Sequence, residues 1–134
     1  MKDTNDFSSC CVLVVDDSKG DQDLVTEWLG EKRFQVIVKD SPKAAISFLK
    51  DSSNRKKVDV ILTDYDMPGM KGRILAQHIQ DMGIEIPIFV HSRDTSLAPC
   101  RLLSGERIFC YDKLARHGVN AVARYWSQRA SGRA

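Results

Sequence analysis

The chain has 134 residues, 43% hydrophobic and 28% charged, with a formal net charge of +2. That length suits one domain around one core; the composition argues against disorder throughout, and the near-balanced charge gives no general pull toward nucleic acid or a membrane. The opening MKDTNDFSS lacks the apolar centre of a signal peptide and the longest apolar run, CCVLVV, is too short to span a bilayer, so a cytoplasmic protein is expected.

Apolar runs too short for helices alternate with amphipathic stretches, the rhythm of a parallel sheet with helical crossovers. After a polar segment at residues 1–9, expected to be a flexible tail, Cys11–Val15 reads as the first strand. Leu24, Val25, Trp28 and Leu29 then recur at helical spacing behind Ser18 and Asp21, which offer capping oxygens. Gln35–Val38 is the second strand, and Ser41-Pro42 is a cap with a first-turn proline opening a helix through Ala45, Ile46 and Leu49. DSSNRKK, from Asp51 to Lys57, reads as a polar loop with a solvated basic run.

Val58–Thr63 is the third strand, and Ile74, Leu75, His78, Ile79 and Met82 mark a helix closed by Gly83. Ile86–Val90 follows; it and the third strand are nearly all apolar, as strands covered on both faces must be. A helix is expected around Ser96–Leu103, where Pro99 interrupts the pattern, then a strand at Arg107–Tyr111. Last comes a helix at Val119–Gln128 turning Val119, Val122, Ala123 and Trp126 inward. The predicted domain spans 10–130, with 131–134 as a C-terminal tail. The fold class is α/β: a doubly wound five-stranded parallel sheet in the flavodoxin-like order 2-1-3-4-5, with helices on both faces. Cys10, Cys11, Cys100 and Cys110 form no C-x-x-C pair and read as reduced thiols.

Four strands run into polar groups at their carboxyl ends: Asp16-Asp17, Asp64, Ser92 and Asp112-Lys113. That edge is where open parallel sheets bind ligands. In the order 2-1-3-4-5 the first and third strands are neighbours, so Asp16, Asp17 and Asp64 converge. Two unit charges about 4 Å apart repel by about 4 kcal/mol at an effective dielectric near 20. A divalent cation removes that conflict, and Mg²⁺ suits carboxylate, water and phosphate oxygens. With the ammonium of Lys113 and the hydroxyl of Ser92, the set can neutralise a transferring phosphoryl group, with Asp64 as the nucleophile.

These residues resemble the receiver domain of two-component response regulators. VLVVDDS holds the acidic pair, ILTDYDMPGMKG the phosphoacceptor position Asp64, FVHS Ser92 and YDK Lys113. The separations of 47, 28 and 21 residues along Asp17, Asp64, Ser92 and Lys113 are those of the family. The resemblance implies Mg²⁺-dependent transfer from a sensor histidine kinase or phosphotransfer protein onto Asp64. Asp17 would bind the metal directly, Asp16 through water and Asp66 through its backbone carbonyl. With 21 residues after Lys113, the expectation is a stand-alone, chemotaxis-regulator-like receiver. Such a receiver would act on a downstream protein target without binding DNA or membrane, and the family suggests a homodimer through the last helix.

Three positions depart from the family pattern. Arg93 stands where a small residue usually leaves space over the site, and Cys110 where an aromatic switch residue sits. Leu114 follows Lys113 where proline is common. These motivate a second reading, a pseudo-receiver that binds partners independently of phosphate. Asp64-Tyr65-Asp66 also prompts a haloacid-dehalogenase-like phosphatase, but there the nucleophile precedes the acidic pair, the reverse of the order here. His78, on the expected apolar stripe, and His91, at a strand end, read as packing or hydrogen-bonding residues.

Overall fold

The computed structural model describes residues 7–92, 108–112 and 117–132. Its elements run β1 (Cys11–Val15), α1 (Lys19–Glu31), β2 (Gln35–Lys39), α2 (Pro42–Lys50), α3 (Ser52–Arg55), β3 (Val60–Asp64), α4 (Gly72–Asp81), β4 (Ile88–Ser92), β5 (Ile108–Asp112) and α5 (His117–Gly132). All strand pairs are parallel: β1 lies between β2 and β3, β4 flanks β3, and β5 pairs with β4. The expected helix at Ser96–Leu103, together with Arg93, Lys113 and Leu114, lies outside the described residues, as does the side chain of Cys110.

Successive strand residues point to opposite faces, and this period of two divides the core. Leu13, Val15, Ile61, Ile88 and Val90 pack beneath α2 and α4 against Ala45, Leu49, Leu75 and Ile79. Val12, Val14, Val60, Leu62 and Phe89 face the other way, onto Val25, Trp28 and Leu29 of α1 and Val119 and Val122 of α5. Buried on both faces, β1, β3 and β4 have no room for polar side chains until their carboxyl ends.

Several boundaries move from those expected. Strand β3 begins at Val60 and includes Asp64; β4 begins at Ile88 and includes Ser92. Pro87 cannot donate to the ladder, and it enters only as an acceptor, its carbonyl taking the Ile61 N–H at 3.0 Å. The segment expected as a polar loop contains α3, because the Asp51 carboxylate accepts from both the N–H and the hydroxyl of Ser53, at 2.9 and 2.8 Å.

The stripe of α4 is also rotated. Gly72, Leu75, Ala76 and Ile79 are buried, while Ile74 is 42% exposed and His78 lies on the open face. In α1, Leu24 is 41% exposed and Asp21 takes a buried place beside Val25. Packing begins before residue 10: Phe7 is buried, its ring stacked 4.7 Å from that of Phe34, and its N–H reaches the Lys32 carbonyl at 3.3 Å. At the other end, α5 continues to Gly132, past the boundary expected at 130.

Candidate functional site

The carboxyl ends of β1 and β3 lie side by side, with Val15 in register with Thr63, so each strand delivers its next acid to the same edge. Asp16 is fully buried. Its N–H donates to the Lys39 carbonyl at 3.1 Å, its carbonyl accepts from Gln22 Nε2 at 2.7 Å, and its Oδ1 accepts from the Ser18 N–H at 3.0 Å. These bonds fix the turn from β1 into α1, where Ser18 caps the helix through its bond from the Asp21 N–H. Asp17 is exposed beside it, and Asp64 is only 8% exposed.

One carboxylate oxygen from each of Asp16, Asp17 and Asp64 lies within 4.8 Å of the others. At that separation each pair repels by about 3–4 kcal/mol for an effective dielectric near 20, less where Asp17 meets water. Oxygens bound to one Mg²⁺ at about 2.1 Å lie at most about 4.2 Å apart across the ion. The cluster therefore fits a small hard cation with one acid acting through water, or with a closure of about half an ångström. Three hard oxygen donors, with no sulfur or nitrogen among them, suit Mg²⁺ or Mn²⁺ better than a softer ion.

Register also places Asp64 opposite His91, and Ser92 opposite Asp112, at the same edge. Ser92 is buried at the end of β4, one step along from His91. His91 packs into the layer under α5: a Cβ on Gly118 would come within 3.1 Å of its Nδ1 and 3.3 Å of a Leu62 methyl, so a packing role fits it. Asp66 sits in the loop after β3, its side chain turned to Lys71, whose ammonium lies 2.7 Å from Asp66 Oδ1. The hydrogen bond and charge of Asp66 raise the Lys71 pKa, and Tyr65 and Asp64 add to the effect. Lys113, Arg93 and the Cys110 side chain belong to the stretches left undescribed.

Three contributors were missed from sequence. Lys71 precedes the first residue of α4 and closes an ion pair across the loop. Gly72 places α4 directly on the phosphoacceptor candidate: a Cβ there would collide with the Asp64 carbonyl oxygen and lie 2.9 Å from Tyr65 Cα. Its N–H donates to the Tyr65 carbonyl at 2.7 Å. The hydroxyl of Thr63 donates to the Asp64 carbonyl at 3.1 Å from a fully buried position. The Gly72 signal was present in MPGMKG, where a second glycine follows the turn made by Gly69 at φ 83°.

The response regulator receiver domain family matches residues 12–100. The two-component response regulator ARR5 of Arabidopsis thaliana is 34% identical over 110 residues, covering 70% of this chain and 60% of its own length. ORR1 of Oryza sativa subsp. japonica, another two-component response regulator, is 37% identical over 91 residues, covering 62% and 39%. Across four Arabidopsis relatives, the matched share of the relative's own length runs from 14% to 60%. Among solved structures, the response regulator TrrA of Thermotoga maritima, in complex with Mg²⁺ and BeF, superposes with a TM-score of 0.69 at 17% identity, over 87% of this chain and 97% of that one. With the family matched over more than half of its length, the chain belongs to the response regulator receiver domains of two-component signalling.

Proposed function

We propose that this receiver, a doubly wound sheet of five strands, accepts a phosphoryl group on Asp64 from the phosphohistidine of a sensor histidine kinase or phosphotransfer protein. The reading rests on one observation: acids from two non-consecutive segments, Asp16-Asp17 and Asp64, gather within 4.8 Å at one sheet edge. Asp17 would hold Mg²⁺ directly, Asp16 through water and Asp66 through its backbone carbonyl. Bound there, the ion would neutralise charge on the transferring phosphoryl oxygens.

An Asp64 carboxylate oxygen attacks phosphorus while the P–N bond breaks; the electron pair leaves with the imidazole nitrogen, and an acyl phosphate forms on Asp64. The buried Asp64 side chain keeps bulk water off that oxygen. Ser92 donates its hydroxyl to a phosphoryl oxygen, and Lys113 pairs its ammonium with another. The domain is a phosphoacceptor, with phosphotransfer and slow self-dephosphorylation its only chemistry. Its output is contact with a downstream cytoplasmic protein, or with a second copy of itself, and no direct contact with DNA.

The test is incubation with a small phosphodonor and Mg²⁺, followed by intact-mass measurement. One phosphoryl group should be added to the wild type and none to Asp64→Asn. No addition, or addition that survives the substitution, overturns the proposal. Arg93, the residue after Ser92 in the sequence, supports a second reading in which partner binding ignores phosphorylation. Partner capture that is equal with and without phosphodonor selects it.

A further inference from the structure

The loop between β3 and α4 carries a fourth acid, Asp66, two residues from Asp64. Left to itself, a flexible carboxylate there would add charge to a cluster that already holds three. It is not left to itself: Lys71 holds it at 2.7 Å, closing a short ring of chain around the Gly69 turn. Both side chains are about half exposed, at 52% and 53%. Exposed pairs add little to folding stability, so the consequence of this one lies in where it puts charge. Lys71 lies just before α4, whose first residue is packed on the Asp64 backbone, so its main chain is held at the same junction as the phosphoacceptor candidate.

We propose that Lys71 is a positioning residue of the acidic site: by holding the Asp66 carboxylate to itself, it keeps a fourth acid out of the cation-binding cluster and so sets the affinity for the divalent ion. The inference rests on the reading of that cluster as a Mg²⁺ site. Lys71→Met frees Asp66 to approach the cluster and removes a positive charge beside it. Both changes should tighten Mg²⁺ binding, on the order of fivefold for one unit charge acting on a divalent ion across a loop.

Calorimetric Mg²⁺ titration of the full chain tests this with five variants. Lys71→Met should tighten binding by that factor, whereas Lys71→Arg, which keeps the pair, should stay within about twofold of wild type. On an Asp66→Asn background, Lys71→Met still removes a positive charge but has no carboxylate to release, so it should tighten binding by clearly less than on the wild-type background. An equal effect of Lys71→Met on both backgrounds, or none on either, overturns the inference while the Mg²⁺ site stands. Absence of binding to the wild type, with Asp17→Asn indistinguishable from it, overturns the site and the inference together.

Discussion

Gly72→Ala should damage the fold and the site at once. Gly72 opens α4 and is not in the left-handed region, so its backbone would accept alanine; the obstacle is space. An added Cβ would collide with the Asp64 carbonyl oxygen and lie 2.9 Å from Tyr65 Cα and 3.0 Å from the Asp64 carbonyl carbon. All three are backbone atoms, and none can rotate away. Restoring an ordinary carbon–oxygen contact of about 3.3 Å requires α4 and the end of β3 to part by roughly 1 Å. Overpacking of that kind costs about 1–3 kcal/mol, and stretching the 2.7 Å bond from the Gly72 N–H to the Tyr65 carbonyl forfeits up to about 1 more. The better helix propensity of alanine returns at most about 1 kcal/mol, less in a first turn. A net loss of about 1–3 kcal/mol remains, or a fall in Tm of about 4 °C per kcal/mol for a domain of this size. Gly30→Ala in α1 is the control: nothing lies within 4 Å of its Cβ position, so it should be neutral or stabilising by up to about 1 kcal/mol. Urea denaturation of both variants gives the stabilities, and Mg²⁺ titration reports whether Asp64 has moved from its partners. Should Gly72→Ala prove as stable as Gly30→Ala with unchanged Mg²⁺ affinity, the close approach is not what places Asp64.

Two further outcomes concern the opposite end of the sheet. Burial, reinforced by Asp59 and Cys11 and opposed by Arg129, pushes the Cys10 thiol from 9.0 up to about 12. The folded state thus holds that proton more tightly than the unfolded chain does, so the stability it brings is whole below pH 9 and drains away as pH climbs toward 12. The urea midpoint advantage of wild type over Cys10→Ala should shrink between about pH 8 and about pH 10.5, and a constant difference would contradict this. Phe7→Ala should lower stability by about 3 kcal/mol, since it empties a buried place against Phe34; an unchanged midpoint would mean that the segment before β1 does not dock.

The site acids were legible because strand periodicity reports where a sheet ends. An unbroken apolar run says both faces are covered, so the first acid after it must lie at the edge, as Asp16 and Asp64 do. Ser92 followed the same logic, although β4 runs two residues past the end expected at Val90 and includes it. Lys71 and Gly72 escaped because their roles arise from tertiary approach. Nothing local distinguishes Lys71 from the other surface lysines, and only the fold brings the start of α4 onto Asp64. The α4 stripe was misjudged by a related limit. Hydrophobicity ranked Ile74 above Ala76, but the helix is turned so that Leu75, Ala76 and Ile79 face inward and Ile74 is left 42% exposed. Phe7 was hidden by the polar residues around it, which mask a single apolar anchor from any compositional reading.

The acids at this edge repel one another, and the parallel ladder keeps them from relaxing apart. Val15 and Thr63 are locked in register, with an apolar layer on each side, so separating Asp16 from Asp64 would mean opening β1 from β3 through both cores. Neighbouring strands lie about 4.8 Å apart, and that spacing sets how near the two side chains must stay. The unfolded chain is free of this repulsion, so the sheet carries it as a standing opposition to folding. A cation drawn into the cluster relieves it, and relief of even about 3 kcal/mol multiplies affinity by roughly a hundredfold without any new bond to the protein. Holding Asp66 on Lys71 keeps that relief from growing larger: a fourth free acid would bind the ion more tightly and leave more negative charge facing an incoming phosphoryl group. On the proposed function the site has to hold a cation and still admit an anion to the same place, and the ion pair in the β3–α4 loop bears on both requirements.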